Sequence, residues 1–244
     1  MERNIQNFNI QYQTFRNNLS DLDIKILETD GQNEKIRLIE INNKYLTLDV
    51  KMRLAFGIRE IRLNNYFVDD KQDDLKLCHL LYYKLADLWF AYDSYLKFYK
   101  EVIGTDKNNV DWLDANVHDN YSSTNEILSA KNSVNQQFQE LYHSEELRNS
   151  LKTYLIHCQL YASNSQRKRI DQIILKVEQG NLNFQNSEIL TLTYAVRNNF
   201  VHNGETTVVP DNFGYYNKSR LLRVLYCYLT IVLLVSTNIT FNRI

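Results

Sequence analysis

Apolar residues recur at three- and four-residue steps through residues 1–28, where Ile5, Phe8, Tyr12, Phe15, Leu19 and Leu22 share one face of an α-helix. Asp30-Gly31 then breaks the pattern. Between Glu34 and Phe67 two periods compete. Leu46, Leu48, Val50, Met52, Leu54, Phe56 and Ile58 alternate as on a strand, whereas Met52, Ala55, Arg59 and Arg62 suit a helix. The segment is read as a helix over 48–66, with a hairpin across Asn42-Asn43 before it.

DDKQDD at 69–74 sets carboxylates where they favour the positive end of a helix dipole. A helix follows from Leu75 to Val102, apolar nearly all round and so expected to lie between other helices. Residues 105–126 read as a loop. Further helices are expected over 126–143, 145–162 and 165–179, with Gly180 closing the last. Ser187 is placed as the cap of a helix that starts at Glu188 and stops at Asn203-Gly204, and a final helix spans 217–237. Within it VLYCYLTIVLLV, Val224–Val235, is apolar but shorter than the roughly 20 residues a membrane span needs. It is expected to be a buried core or dimer-interface helix, with no membrane involved.

Composition sharpens the fold class. One proline and six glycines in 244 residues leave few obligatory breaks, so the chain is expected to be all-α. A formal charge of −1 excludes a globally basic nucleic-acid binder, and any such contact must be local. Cys78, Cys158 and Cys227 have no CxxC spacing and are odd in number, which points to a reducing cytoplasm. MERNIQNFNIQYQTF carries no apolar stretch of the secretory kind.

The candidate chemistry lies at residues 195–205, AVRNNFVHNGE. Arg197 is followed by Asn198 and Asn199, by the apolar pair Phe200-Val201, and by His202 at the fifth place. Arg16 and Arg148 are also followed by asparagine, but Asp21 and Thr153 stand five places on. On a helix Asn198 and His202 share a face, while Arg197 and His202 lie about 140° apart. The two can converge if Arg197 reaches across or if the chain turns at Asn203-Gly204.

RNA cleavage by its own 2′-hydroxyl needs a proton acceptor, a proton donor for the departing 5′-oxygen, and positive charge on the phosphorane. Histidine titrates near neutrality and serves either proton role, and arginine offers a permanent cation with a fork of donors. One histidine per chain is one short of a separate acid and base.

RNNFVH, with its helical setting, resembles the R-x4-H motif of the HEPN superfamily, over a region from about residue 75 to 240. The resemblance implies a HEPN-like helical bundle at 69–244 with an N-terminal helical extension at 1–68. It implies a metal-independent endoribonuclease without cofactor, working as a homodimer that brings two motifs into one cleft. Carried over, Arg197 is the phosphate and transition-state stabiliser, His202 the general acid or base, and Asn198 the polar position orienting the histidine or the phosphate. Asn199 and Glu205 stand nearby. The resemblance further implies an RNA substrate and an antitoxin or phage-defence protein as partner. HEPN toxins with an R-x4-H-x-Y motif carry a tyrosine where this chain has Gly204, so control through such a tyrosine is not expected. A catalytically silent HEPN module binding RNA, a nucleotide or a protein is the alternative.

Arg167, Lys168 and Arg169 form a compact basic run suited to an RNA backbone, or to a solvated first turn. Asp114 and His118, with Asp111 and Asp119 beside them, lack a Cys/His pair, so no metal is expected. His79 and His157 read as core or half-buried residues, and His143 as the polar end of a helix. No phosphate loop, dinucleotide fingerprint, GxSxG or HExxH occurs.

Overall fold

The computed structural model describes residues 2–62, 73–104, 124–160, 162–203 and 213–244, with the side chains of residues 2–7, 202 and 203 left aside. Among the described residues every regular element is a helix, so the all-α expectation holds. In chain order they are α1 Glu2–Glu28, α2 Gln32–Gly57, α3 Asp73–Ile103, α4 Asn125–Leu141, α5 Glu145–Gln159, α6 Asn164–Glu178, α7 Asn186–Asn203 and α8 Tyr215–Phe241. Most of the expected loop, 105–123, lies outside the described residues.

The largest departure from the sequence reading is α2. Where a hairpin and a later helix start were expected, one helix begins at Gln32, runs through Asn42 and Asn43, and ends at Gly57. The cause is legible in burial. Leu38, Ile41, Tyr45, Leu48 and Met52 are buried on one face, while Ile36, Ile39, Leu46, Val50 and Leu54 are exposed on the other. Two apolar faces of one helix, offset by two residues, imitate the alternation of a strand.

The chain forms two compact units, and their partition differs from the expected division into 1–68 and 69–244. One unit comprises residues 1–54, 90–130 and 230–244, the other 55–89 and 131–229. Helices α3 and α8 each supply residues to both.

In the first unit Tyr45 is the hub. Its ring stacks on Phe15 with centroids 4.9 Å apart and meets Phe98 and Phe241 edge-on at 5.1 and 5.8 Å. Its hydroxyl donates to the Phe15 carbonyl at 2.8 Å, so the aromatic burial leaves no stranded polar atom there. Burial pushes this phenol well above its ordinary pKa. Asp49, also buried, accepts from Arg16 at 2.7 Å and Arg53 at 2.9 Å, which ties α1 to α2. Asn18 Nδ2 donates to Asn238 Oδ1 at 3.1 Å, and Tyr95 and Thr240 share a hydroxyl contact at 3.3 Å, so the end of α8 is held by polar as well as apolar contacts.

In the second unit α5, α6 and α7 pack on one another. Ser144 caps α5 through the Leu147 N–H. Helix α6 ends where Gly180 takes φ +72°, with the Asn181 N–H returning to the Lys176 carbonyl at 2.8 Å, a left-handed stop that favours glycine. Helix α2 closes here too: Lys84 Nζ donates to the Ile58 carbonyl at 2.9 Å and lies over the Tyr226 ring. Among the described residues α8 alone is long and apolar enough to cross a membrane, yet 72% of its most apolar window is buried within the protein. That burial matches the expected core helix.

Candidate functional site at the end of helix α7

The start of α7 is fixed by three polar side chains. Asn135 of α4 is buried and grips the Phe184 backbone, accepting from its N–H at 2.9 Å and donating to its carbonyl at 3.0 Å. Glu188 accepts from the Gln185 N–H at 2.7 Å and pairs with Lys176 at 2.7 Å. The helix therefore starts at Asn186, with Glu188 reaching back to its cap; the expected cap at Ser187 is corrected by two residues, to Gln185, and Ser187 lies inside the helix. Ile189, Leu190, Leu192, Thr193 and Val196 are buried, so α7 is enclosed through most of its length.

The motif occupies the last two turns. Arg197 is 8% exposed, and its Nη1 donates to Asn198 Oδ1 at 3.0 Å. A buried guanidinium is costly unless its donors are matched, and Asn198 supplies one acceptor. Asn199 is fully buried, with Nδ2 3.8 Å from Cys158 Sγ on α5. That places it in the packing between α7 and α5. Phe200 stacks on Tyr82 of α3 with centroids 4.7 Å apart, while Val201 is exposed.

The backbone of α7 stays helical through His202 and Asn203. Positions 198 and 202 thus share a face, and positions 197 and 202 stand about 140° apart. The turn that would swing the histidine round is not within α7. The His202 side chain and all of Glu205 lie outside the described residues.

The surroundings of the motif were not legible in the sequence. The Tyr82 and Tyr154 hydroxyls meet at 3.0 Å, and the Tyr154 ring stacks on Phe213 with centroids 4.7 Å apart. Lys218, at the first turn of α8, is fully buried with Nζ 5.3 Å from the Tyr154 ring centroid. These neighbours come from α3, α5, α8 and, for Phe213, the residues just before α8, and Lys218 sits in a polar run, NKSR, that reads as solvated.

The basic run has a structural occupation. Arg167 donates to the carbonyls of Ala162, Gln159 and Leu160 at 2.9, 3.1 and 3.1 Å, closing the C-terminus of α5 with a cation at its negative end. Arg167 and Lys168 are exposed and Arg169 half-exposed, so the run faces water while Arg167 spends donors on the carbonyls at the end of α5. His143 Nδ1 lies 3.0 Å from the Glu140 carbonyl at the end of α4. His79 is half-buried, and burial lowers its pKa. Asp111, Asp114, His118 and Asp119 lie outside the described residues, and among those described no three His, Cys, Asp or Glu side chains are placed to hold a metal ion. Searches of family models, curated proteins and solved structures found no match to this chain.

Proposed function

We propose that this protein is a HEPN-like, metal-independent endoribonuclease that works as a homodimer in the cytoplasm, in a toxin–antitoxin or phage-defence setting. One observation carries the reading: Arg197, Asn198 and His202 keep the R-x4-H spacing in the last turns of a helix enclosed by its neighbours. In the proposed reaction the 2′-hydroxyl loses its proton to one histidine and attacks the adjacent phosphorus. The bond from phosphorus to the 5′-oxygen breaks, and that oxygen takes a proton from the second histidine. Arg197 offsets the negative charge that builds on the phosphorane. The products are a 2′,3′-cyclic phosphate and a free 5′-hydroxyl. Asn198 holds Arg197 and shares a helix face with His202, which suits a positioning role.

A second reading is favoured by the burial of Arg197: a catalytically silent module of the same kind that binds RNA, a nucleotide or a protein. Labelled single-stranded RNA and total tRNA, incubated with purified protein in EDTA, separate the two. The nuclease reading expects cyclic-phosphate ends from the wild type and none from folded His202→Ala or Arg197→Ala protein. Equal cleavage by the variants would overturn the site, and absence of cleavage would favour the module.

A further inference from the structure

The exposed face of α2 has the spacing of a helix-pairing seam. Ile36, Ile39, Leu46 and Val50 are all exposed, and with Asn43 they follow steps of three, four, three and four residues. Single exposed apolar residues are ordinary, but a continuous row at a 3.5-residue period is the pattern by which two helices interlock. Leu54, exposed one place beyond the next step, extends the row, which spans about 28 Å along the helix. The opposite face is spent on the first unit's core, through Leu38, Ile41, Tyr45, Leu48 and Met52.

We propose that α2 pairs with α2 of a second copy of this chain, side by side and in the same direction. Three features select that occupant. Ile36, Asn43 and Val50 fall at the first heptad position and Ile39 and Leu46 at the fourth; β-branched residues at the first with leucine at the fourth favour two parallel strands, Ile39 being the one departure. Asn43 sits midway along the row at a first position, where asparagines of two chains face each other and set register and number of strands. Lys35 and Glu40 occupy the flanking positions that meet across a parallel pair, five residues apart, giving two opposite-charge contacts by symmetry. Antiparallel pairing would instead carry Lys35 toward the end where Arg53 stands. The seam is short, but α2 is already folded by its inner face, so association bears no nucleation cost. This inference does not rest on the nuclease reading.

The test is sedimentation of the full chain across the micromolar range. Wild-type protein is expected to be a dimer, and Leu46→Glu, whose site is exposed in one chain, is expected to weaken association by roughly a hundredfold with its helicity unchanged. Lys35→Glu or Glu40→Lys alone should weaken the dimer, and the double exchange should restore it. Ile36→Cys in a Cys227→Ser background should form an interchain disulfide, because only a parallel pair brings position 36 against itself. A monomeric wild type, a dimer indifferent to Leu46→Glu, or adsorption of the monomer to anionic vesicles through this face would each overturn the proposal.

Discussion

Arg197 Nη1 donates to Oδ1 of Asn198, its immediate neighbour on α7, at 3.0 Å. The cation of the candidate site is therefore oriented from within its own helix. Under the nuclease reading Asn198→Ala is expected to lower kcat on labelled RNA roughly ten- to hundredfold, with KM little changed. Asn198→Asp keeps the acceptor and should retain most of the rate; equal losses in the two would show that the bond does not position Arg197.

Asn135 is the clamp on the approach to that helix. Its amide satisfies both backbone groups of Phe184 inside the protein, so Asn135→Leu strands a buried N–H and a buried carbonyl. The expected cost is about 2–3 kcal/mol, read from the urea midpoint. A loss below roughly 0.5 kcal/mol would mean that water replaces the amide.

His79 makes stability depend on pH. Burial lowers its folded pKa below the unfolded value near 6.5, so the unfolded chain binds the extra proton more readily. Its contribution is complete above the unfolded pKa and is lost as pH falls from there toward the folded pKa. Asp87 works in the opposite sense, since burial raises its pKa. Comparing wild type with His79→Gln isolates the histidine: the variant should lose less stability than wild type between neutral pH and mild acid. Parallel curves would assign the acid sensitivity to other groups.

Asp49 holds α1 and α2 together through Arg16 and Arg53, and its carboxylate raises the Arg16 pKa chiefly through their hydrogen bond. The arginine side chains are 39% and 54% exposed, so they can turn to water when their partner is neutralised. Asp49→Asn is therefore expected to cost about 1–2 kcal/mol, below the 3–5 kcal/mol typical of a fully buried pair, as measured by thermal unfolding. A larger loss would show that the arginines cannot reach solvent.

What the sequence made legible was one-sided helices and their stops. Helix α1, amphipathic on one face, ends where Asp30-Gly31 predicts, and Gly180 closes α6 with a left-handed φ. Helix α2 misled because both its faces are apolar, for different reasons. The start of α7 was misplaced because Glu188, three residues beyond Gln185, caps the helix without a serine at the cap. The motif spacing was visible in one stretch of chain. Its packing against Tyr82 and Cys158 was not, since those residues come from two distant segments with no shared pattern. Arg167 looked like a ligand for phosphate because a C-terminal cap supplied from the next helix leaves no local signature.

The interleaved partition of the two units bears on biosynthesis. Phe15, Tyr45 and Asn18, on the first two helices, find part of their surroundings in Asn238 and Phe241 and in the far half of α3. While a ribosome is still translating the middle of the message, this unit lacks residues 230–244, and the inner faces of α1 and α2 stay partly uncovered. Helices α1 and α2 thus wait until residues 230–244 have emerged before their packing is complete, and truncation before residue 230 would leave them as a standing target for chaperones and proteases.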